Sequence, residues 1–332
     1  MKNCKKSIFA LTVIVFLLLV VFSGIVTAAD SQFPSKPIIA IAPFGAGGGT
    51  DRSVRSLGVV WGKFSDAKLN VVNMPGAGSA EGMRYVFESD PDGYTIVQNG
   101  SQMLTLPYFY TREELGWTLE EFEPIAIQQT ISYLLVVPKD SPFNSLKELI
   151  EYGRANPGKL MHGVVGYGGD SHVAFKALEL VADFKATVVP FDSGAEQVAN
   201  IAGSHIDIAV ATFGTMLPLV QSGDAKALAV ATEERVSVLP DVPTAIEQGI
   251  DWTFPNWRGW LAPPGTPREQ IDYIAGIIEK ALKEDNELSD MIIKSGEEPH
   301  YYGPDEMSDF LMRMDKIFGP AIKAIQEEEA SS

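Results

Sequence analysis

Four short loops rich in glycine and small polar residues contain the groups best suited to bind a ligand. They span residues 45–50, 73–79, 166–171 and 192–195, each between a predicted strand and a predicted helix. The first turn of a helix offers unpaired backbone N–H groups and a partial positive charge, which together attract anions. Glycine also lets the backbone approach a ligand closely. Each loop alone is typical of a tight turn, but four of them favour an anion-binding site.

These loops do not carry the motifs of nucleotide-binding proteins. The first loop places Thr50 where the dinucleotide fingerprint has its third glycine, and the next strand ends in Asn73 instead of an acid that would hold a ribose. The phosphate loop G-x-x-x-x-G-K-[ST] does not occur in the sequence. We therefore expect no nucleotide cofactor.

Catalytic and metal-binding patterns are equally weak. The sequence has no G-x-S-x-G elbow. Ser171 and His172 are adjacent, so their side chains would point apart at the start of a helix instead of forming a Ser–His couple. The four histidines show no H-x-x-x-H spacing, and Cys4 is the single cysteine. We predict no metal site and no enzyme, with an exported enzyme as the alternative.

The N-terminal segment has the order of a secretory signal peptide. Three lysines within the first six residues precede an apolar run at 8–22 and a small-residue stretch that ends at Ala29. Cleavage there would remove Cys4 and leave a mature chain without thiols. An uncleaved anchor is the alternative, because residues 8–25 are just long enough to span a bilayer. We predict that residues 1–29 are a signal peptide and that the protein is periplasmic.

The overall composition is that of a folded, acidic protein. The chain has 332 residues, of which 45% are apolar and 21% charged, and its formal net charge is −17. This length suggests two domains. The acidic charge argues against nucleic acid as a partner, because phosphate recognition needs clustered lysine and arginine.

The pattern along the mature chain predicts an α/β fold, because short apolar runs alternate with helical periodicity. Residues 37–44 lack polar alternation, as in a strand buried on both faces. Residues 125–137 predict one extended segment. The region 239–265 is rich in proline and tryptophan and is expected to be irregular, followed by a helix near 267–283.

Eight segments, in order along the chain, carry a family resemblance. The chain resembles the extracytoplasmic solute-binding receptors of tripartite tricarboxylate transporters, also called the Bug family. The matching segments are FPSKPI at 33–38, PFGAGGGTD at 43–51, NMPGAGS at 73–79, DPDGYT at 90–95, NPGKL at 156–160, VPFDSGAEQVANIAGSHIDIA at 189–209, LPDVPTAIEQGI at 239–250 and WRGWLAPPGTP at 257–267.

The resemblance implies a two-lobed periplasmic-binding-protein fold of type II, a Venus flytrap with a ligand cleft between its lobes. The chain would cross between lobes near 128–132 and 228–232. Lobe one would then combine residues 30–129 with 231–332, and lobe two would be residues 130–230. The implied function is that of a monomeric receptor that captures a small organic acid and presents it to a membrane permease.

The resemblance also implies which residues bind the ligand, because in this family its carboxylate lies between the first loop of lobe one and the glycine-rich loop of lobe two. On lobe one the implied residues are Phe44, Gly45, Ala46, Gly48, Thr50, Asp51, Asn99 and Gly100. On lobe two they are Gly166, Tyr167, Gly168, Asp170, Ser171, His172, Asp192, Ser193, Gly194 and Thr212. Helix N-termini and hydroxyls could hold a carboxylate there without lysine or arginine.

Two aspartates depart from the family pattern. Relatives usually have Ser or Thr in place of Asp170, and often Lys or Gly in place of Asp192. Carboxylates beside an anion site repel a dianion, so they either turn outward as helix N-caps or receive an amine or a bound cation. The identity of the solute therefore stays open, and a partner of a sensor domain is a second alternative function.

Overall fold

The computed structural model describes residues 33–191, 193–236 and 238–331. The predicted signal peptide at 1–29 and Asp192 lie outside the described residues. All strands and helices named below belong to the structural unit Lys36–Ser332.

The described residues form eleven strands. In chain order they are β1 Ile38–Ala42, β2 Leu69–Asn73, β3 Thr95–Asn99, β4 Glu123–Ile131, β5 Tyr133–Pro138, β6 Met161–Val165, β7 Thr187–Phe191, β8 Ile208–Thr212, β9 Ala225–Val230, β10 Asn256–Ala262 and β11 Glu298–Tyr302.

The same residues form eleven α-helices and three short 3-10 turns. The helices are α1 Gly49–Trp61, α2 Ala80–Phe87, α3 Gln102–Phe109, α4 Arg112–Leu115, α5 Leu146–Ala155, α6 Asp170–Ala182, α7 Gly194–Ala202, α8 Phe213–Gln221, α9 Arg268–Lys283, α10 Asn286–Lys294 and α11 Pro304–Ser331. The 3-10 turns are Ala77–Ser79, Leu119–Glu121 and Ile246–Gln248.

The strands are arranged in two mixed sheets. The first sheet has the order β11-β4-β10-β3-β1-β2, with β1 parallel to both β2 and β3 and with β10 antiparallel to β3 and β4. The second sheet has the order β7-β6-β8-β5-β9, with β6 parallel to β7 and β8 and with β5 antiparallel to β8 and β9. This is the α/β architecture that the alternating pattern predicts.

The expected extended segment at 125–137 is two strands in different sheets. β4 ends at Ile131 in the first sheet and β5 begins at Tyr133 in the second. Both strands lie inside their sheets and are largely buried, so both are largely apolar. The apolar run in the sequence therefore continues from one sheet into the other and gives no sign of where the change of sheet occurs. The carbonyl of Ser132, between them, accepts a hydrogen bond from Phe213 N at 3.2 Å.

The expectation of an irregular region at 239–265 is wrong for its last part. β10 occupies residues 256–262 and pairs with both β3 and β4 in the middle of the first sheet. Trp257 and Trp260 on this strand are completely buried. Aromatic residues suit a strand buried on both faces, and this preference outweighs the nearby prolines.

Three of the glycine-rich loops end where a helix begins, as predicted. Gly48 and Gly169 are the N-caps of α1 and α6, and both have extended backbone dihedrals. Asp51 and Asp170 lie in the first turns of these helices, where a negative charge interacts favourably with the helix dipole. The hydroxyl of Ser193 caps α7 by accepting a hydrogen bond from a backbone N–H in its first turn.

A continuous buried core contains residues of the first sheet, of α6 and of α11. It includes Ile41 on β1, Trp257 on β10, Phe175 on α6 and Phe318 on α11. The rings of Trp257 and Phe318 lie 6.0 Å apart, and Trp252 Nε1 donates to the carbonyl of Ala174 on α6 at 3.0 Å. The first contact packs β10 against α11, and the second attaches α6 to the segment that precedes β10.

Candidate functional site

The first turn of α6 is bonded directly to the segment after β3 and to the start of β10. Asp170 is the first residue of α6, and its Oδ2 accepts hydrogen bonds from Ser101 Oγ at 2.6 Å and Gln102 Nε2 at 2.7 Å. Asn256 Nδ2, at the start of β10, lies 3.4 Å from the same oxygen. One aspartate oxygen therefore joins the loop after β6 to the segment after β3 and to β10.

The first turn of α1 is bonded to the same strand through an arginine. Arg258 Nη1 donates to Thr50 Oγ1 at 3.0 Å, and Arg258 Nη2 lies 3.6 Å from Glu297 Oε1. A Cβ at Gly49 would lie 2.5 Å from Arg258 Nη2, so the guanidinium crosses the N-terminal end of the helix. Asn256 and Arg258 are two positions apart on β10, which places them on the same face of the strand. Alternate residues of β10 thus contact the starts of both helices.

The loop between β1 and α1 is shaped by a buried carboxylate. Residues 45–47 are exposed, whereas Asp51 is buried. Asp51 Oδ2 accepts from Gly47 N at 2.8 Å, and its Oδ1 accepts from Asn73 Nδ2 at 2.9 Å and Arg55 Nε at 2.9 Å. Burial alone would raise the pKa of Asp51, but these three donors lower it below its usual value. Asp51 is therefore ionised and holds the loop in place.

The backbone of this loop is fixed at its two ends and open in its middle. The Phe44 carbonyl accepts from Asn73 Nδ2 at 3.1 Å, and Gly48 N donates to the Gly45 carbonyl at 3.3 Å. A Cβ added at Gly45 would meet no atom within 4 Å. The exposed peptide groups of Gly45 and Ala46 are therefore the part of the loop that a ligand can approach.

The loop between β6 and α6 is organised by His172. The imidazole is completely buried, and its Nδ1 accepts from Gly168 N at 3.0 Å. Burial and the charge of Lys176 lower the pKa of His172 to about 4, so the ring is neutral near pH 7 and can accept that hydrogen bond. The exposed ring of Tyr167 packs edge-on against it with a centroid distance of 4.6 Å.

Ser171 and Gly166 differ in their accessibility to a ligand. Ser171 is buried, and its hydroxyl accepts from Val165 N at 3.1 Å, which closes the loop on itself. Gly166 is exposed, has a φ of +71°, and has no atom within 4 Å of an added Cβ. Gly166 is therefore the open position of this loop, as Gly45 is in the first one.

Asn99 and Gly100 are buried beneath the site. Asn99 Nδ2 donates to Ser79 Oγ at 3.0 Å, and Asn99 Oδ1 accepts from Gly100 N at 2.8 Å. A Cβ at Gly100 would lie 2.6 Å from the Trp257 carbonyl. These two residues bring the segment after β3 close to β10 and thereby position Ser101 for Asp170.

The third group of predicted residues gathers around Thr215. Ser193 Oγ accepts from Glu196 N at 3.3 Å, and Thr212 Oγ1 lies 3.1 Å from Thr215 Oγ1. A Cβ at Gly194 would be 3.2 Å from Thr215 Cγ2. The starts of α7 and α8 are thus adjacent. Thr215 was not among the predicted site residues.

Sequence reasoning also missed the residues that connect the two helix starts. Ser101, Gln102, Asn256 and Arg258 make the contacts with Asp170 and Thr50 described above, and none of them was predicted. Asn256 and Arg258 could have been found from the segment NWRGWLA at 256–262. They are its polar residues, at alternate positions of an otherwise apolar run. The sequence predicts a site that holds a carboxylate without lysine or arginine, but Arg258 lies beside it.

The surroundings of Asp170 disfavour its charge. Burial raises the pKa of Asp170, an effect that Ser101, Arg258 and Asn256 partly offset. The hydroxyl of Tyr133 accepts from Asn256 Nδ2 at 3.2 Å. Burial and the nearby Asp170 raise the pKa of Tyr133 well above its usual value, so this phenol stays protonated.

No group of three or more His, Cys, Asp and Glu side chains in residues 33–191, 193–236 and 238–331 could hold a metal ion. No helix in that part of the chain is both long and apolar enough to cross a membrane.

Comparison with protein families identifies the class of this chain. The sequence profile described as "Tripartite tricarboxylate transporter family receptor" matches residues 66–326. The chain belongs to this receptor family. The resemblance carried by the eight segments is therefore confirmed, and the family is one of solute-binding receptors.

Relatives and solved structures agree with this assignment. A UPF0065 protein of Bordetella pertussis is 29% identical over 304 residues, which are 90% of this chain and 92% of the relative. A TctC solute-binding protein from Polaromonas has a TM-score of 0.78 at 27% identity, covering 88% of this chain and 100% of that chain. The R. palustris protein Rpa4515, solved with adipate, has a TM-score of 0.75 at 23% identity and covers 89% and 99% of the two chains.

These structures confirm the expected fold of this family member. Its two mixed sheets are those of the two-lobed periplasmic-binding-protein fold.

Proposed function

We propose that this receptor captures a small organic acid between its two lobes and delivers it to a membrane permease of the tripartite tricarboxylate type. Membership of the receptor family supports the role of a solute carrier. The adipate in a protein of the same fold supports a carboxylate as the solute.

One observation carries the proposal. Asn256 and Arg258 lie on one face of β10, and they contact Asp170 at the start of α6 and Thr50 at the start of α1. Two helix N-termini, each preceded by a glycine loop with an exposed open position, therefore meet at one strand. Helix N-termini that converge in this way favour an anion between them.

The chemistry of the site fits a carboxylate that must later be released. The backbone N–H groups of Gly45 and Ala46, on the exposed part of the first loop, supply neutral donors, and Arg258 supplies one positive charge that is already shared with Thr50 and Glu297. Charge-assisted hydrogen bonds from such donors hold a carboxylate. Because the arginine charge is shared, the bound acid is not held by an exclusive ion pair.

We further propose the organisation that this function requires. Lobe one would combine residues 30–129 with 231–332, lobe two would be residues 130–230, and residues 1–29 would be removed on export to the periplasm. The receptor would act as a monomer. N-terminal sequencing of the protein from the periplasmic fraction tests the export step: a mature N-terminus near residue 30 is expected, and an intact Met1 would contradict it.

Calorimetry on the mature chain tests the binding function. Titration with mono-, di-, tri- and aromatic carboxylates is expected to reveal one saturable site for at least one acid. Gly45→Val, which places a branched side chain at the open position of the first loop, is expected to abolish that binding. Absence of binding across the whole panel would contradict the proposal, and so would turnover of a bound acid.

Delivery to a permease needs a test in cells. Host cells that lack this gene are expected to lose uptake of the acid identified by calorimetry, and a copy of the gene is expected to restore it. A copy that carries Gly45→Val is expected to restore nothing. Unchanged uptake without the gene would contradict a role in transport and would leave acid binding in place.

A further inference from the structure

The Asp170 carboxylate uses only one of its two oxygens for the contacts that join α6 to the first sheet. Ser101 Oγ, Gln102 Nε2 and Asn256 Nδ2 all approach Oδ2, at 2.6, 2.7 and 3.4 Å. No hydrogen bond from the described residues reaches Oδ1, and Asp170 as a whole residue is half-buried. The three donors fix the plane of the carboxylate and leave one oxygen available.

The negative charge of Asp170 is not balanced by an ion pair. None of the lysine, arginine and histidine side chains in the described part of the chain forms a salt bridge with it. All three of its hydrogen-bond donors are neutral groups. A partly buried carboxylate without a cationic partner carries a desolvation penalty, and a cation at the free oxygen would relieve it.

The positive charge of Arg258 lies a short distance away, on the face of β10 that also carries Asn256. Arg258 and Asn256 are two residues apart, and such residues lie about 7 Å apart along a strand. Arg258 Nε is buried and has no hydrogen-bond partner, while Nη1 contacts Thr50 at the start of α1. An acceptor for a cation and a donor for an anion therefore lie beside the same face of β10.

We propose that this site selects an acid that also carries an ammonium group, with the ammonium on Asp170 Oδ1 and the carboxylate on the side of Arg258 and the first glycine loop. This inference rests on the proposed function, because it assigns the chemical class of the acid in that same cleft.

The alternatives fit the site less well. A dicarboxylate would bring its second negative charge toward Asp170, and like charges at close range repel each other strongly where water is scarce. A metal ion would need further acidic or histidine ligands, and no group of three such side chains occurs within the ranges that the structure describes. An ammonium needs only acceptor oxygens, which Asp170 provides.

Calorimetry with matched acids tests the proposal. The wild-type protein is titrated with aspartate and succinate, glutamate and glutarate, and γ-aminobutyrate and butyrate, pairs that differ by one amino group. At least one amino acid is expected to bind roughly tenfold more tightly than its partner, equivalent to about 1.4 kcal/mol. Asp170→Asn keeps the shape of the side chain and removes its charge, so it is expected to reduce that ratio to about one.

Asp183→Asn is the matched control. Asp183 is exposed and ends α6 in the left-handed region, with a φ of 48°, which asparagine also adopts readily. The same change of charge at the other end of the same helix is expected to leave the ratio of affinities unchanged. Thermal melting of both variants checks that they are folded.

The outcomes separate this inference from the proposed function. Equal or tighter binding of the amine-free acids, or an unchanged ratio in Asp170→Asn, would overturn the amine preference and leave acid binding intact. Binding of butylamine as tight as that of γ-aminobutyrate would support the role of Asp170 and contradict an acid receptor. Absence of binding by every one of these compounds would overturn the amine preference, and it would overturn the proposed function as well if tri- and aromatic carboxylates also fail to bind.

Discussion

Lys176 on α6 lies 2.7 Å from Glu328 on α11, Nζ to Oε2, and the same ammonium also contacts Glu179 one turn further along α6. The side chains of Lys176 and Glu179 are 5% and 4% exposed, so this ion cluster is one of the few buried ones in the described chain. Burial alone would lower the pKa of Lys176, but the two glutamates raise it above its usual value. The cluster fastens the helix that begins at Asp170 to the C-terminal helix.

Replacing Lys176 should therefore destabilise the protein strongly. Lys176→Met leaves the Glu179 charge buried without its partner, and the removal of one member of a buried pair costs about 3–5 kcal/mol. Urea unfolding is expected to show a loss of this size. In the double variant Lys176→Met/Glu179→Gln the stranded charge is gone, so most of the loss should be recovered.

Lys185→Met is the control for this prediction. The Lys185 side chain is 72% exposed and lies 3.7 Å from the same Glu328, and exposed ion pairs contribute at most about 1 kcal/mol. A loss in Lys185→Met as large as in Lys176→Met, or no loss in either, would show that the buried cluster does not stabilise the fold.

The order of elements could be predicted from the sequence because it is encoded locally. Residues 37–44 are apolar throughout, and glycine loops with helical periodicity behind them mark the starts of α1 and α6. The change of sheet at Ser132 could not be predicted, since the apolar run continues from one sheet into the next. The strand β10 was not predicted for a related reason. The burial of its two tryptophans depends on β3 and β4, which are distant in sequence.

The candidate site was predictable where its residues belong to a local motif. The loops at 45–50 and 166–171 lie at helix starts as expected. The hydrogen-bond partner of each hydroxyl and carboxylate was not predictable. Ser171 bonds within its own loop, and Asp51 bonds to its own loop and to Asn73 at the end of β2. Asp170, on a helix that follows a strand of the second sheet, bonds to Asn256 in the first sheet. These partners depend on contacts between residues far apart in the chain, as the distance from Asp170 to Asn256 along the sequence illustrates.

The two open glycines permit a test of the site that leaves the fold untouched. A Cβ at Gly45 meets nothing within 4 Å, and the same is true of Gly62 at the C-terminal end of α1. Gly45→Val and Gly62→Val are therefore both expected to melt close to the wild-type temperature. Only Gly45→Val should weaken acid binding, at least roughly tenfold or about 1.4 kcal/mol, as measured by calorimetry. Equal affinities in the two variants would remove the first loop from the site.

Arg258 should matter for binding separately from stability. Arg258→Met removes the donor to Thr50 and the cationic neighbour of Glu297. Because the Glu297 side chain is only 10% exposed, the single variant Arg258→Met is expected to be less stable than the wild type. Arg258→Met/Glu297→Gln removes the stranded carboxylate as well and should melt nearer the wild type. Calorimetry on the double variant is expected to show acid affinity at least roughly tenfold weaker. Wild-type affinity in the double variant would place Arg258 outside the binding site.

His172 makes stability depend on pH in a defined direction. Its pKa is lowered to about 4 in the folded protein by burial and by Lys176, from a usual value of 6.5. Between those pH values the unfolded chain binds a proton that the folded chain does not. The contribution of His172 is therefore fully present above about pH 6.5 and is lost as the pH falls toward 4, by up to about 3 kcal/mol.

A variant isolates this effect from other groups. The pKa of the buried His162 is also lowered, so the useful quantity is the difference in unfolding free energy between wild type and His172→Gln, whose amide oxygen can accept from Gly168 N. That difference is expected to change by up to about 3 kcal/mol between pH 7 and pH 4. Parallel pH profiles of wild type and His172→Gln would show that the His172 ring titrates normally, and a neutral imidazole would then no longer explain how the second glycine loop is held.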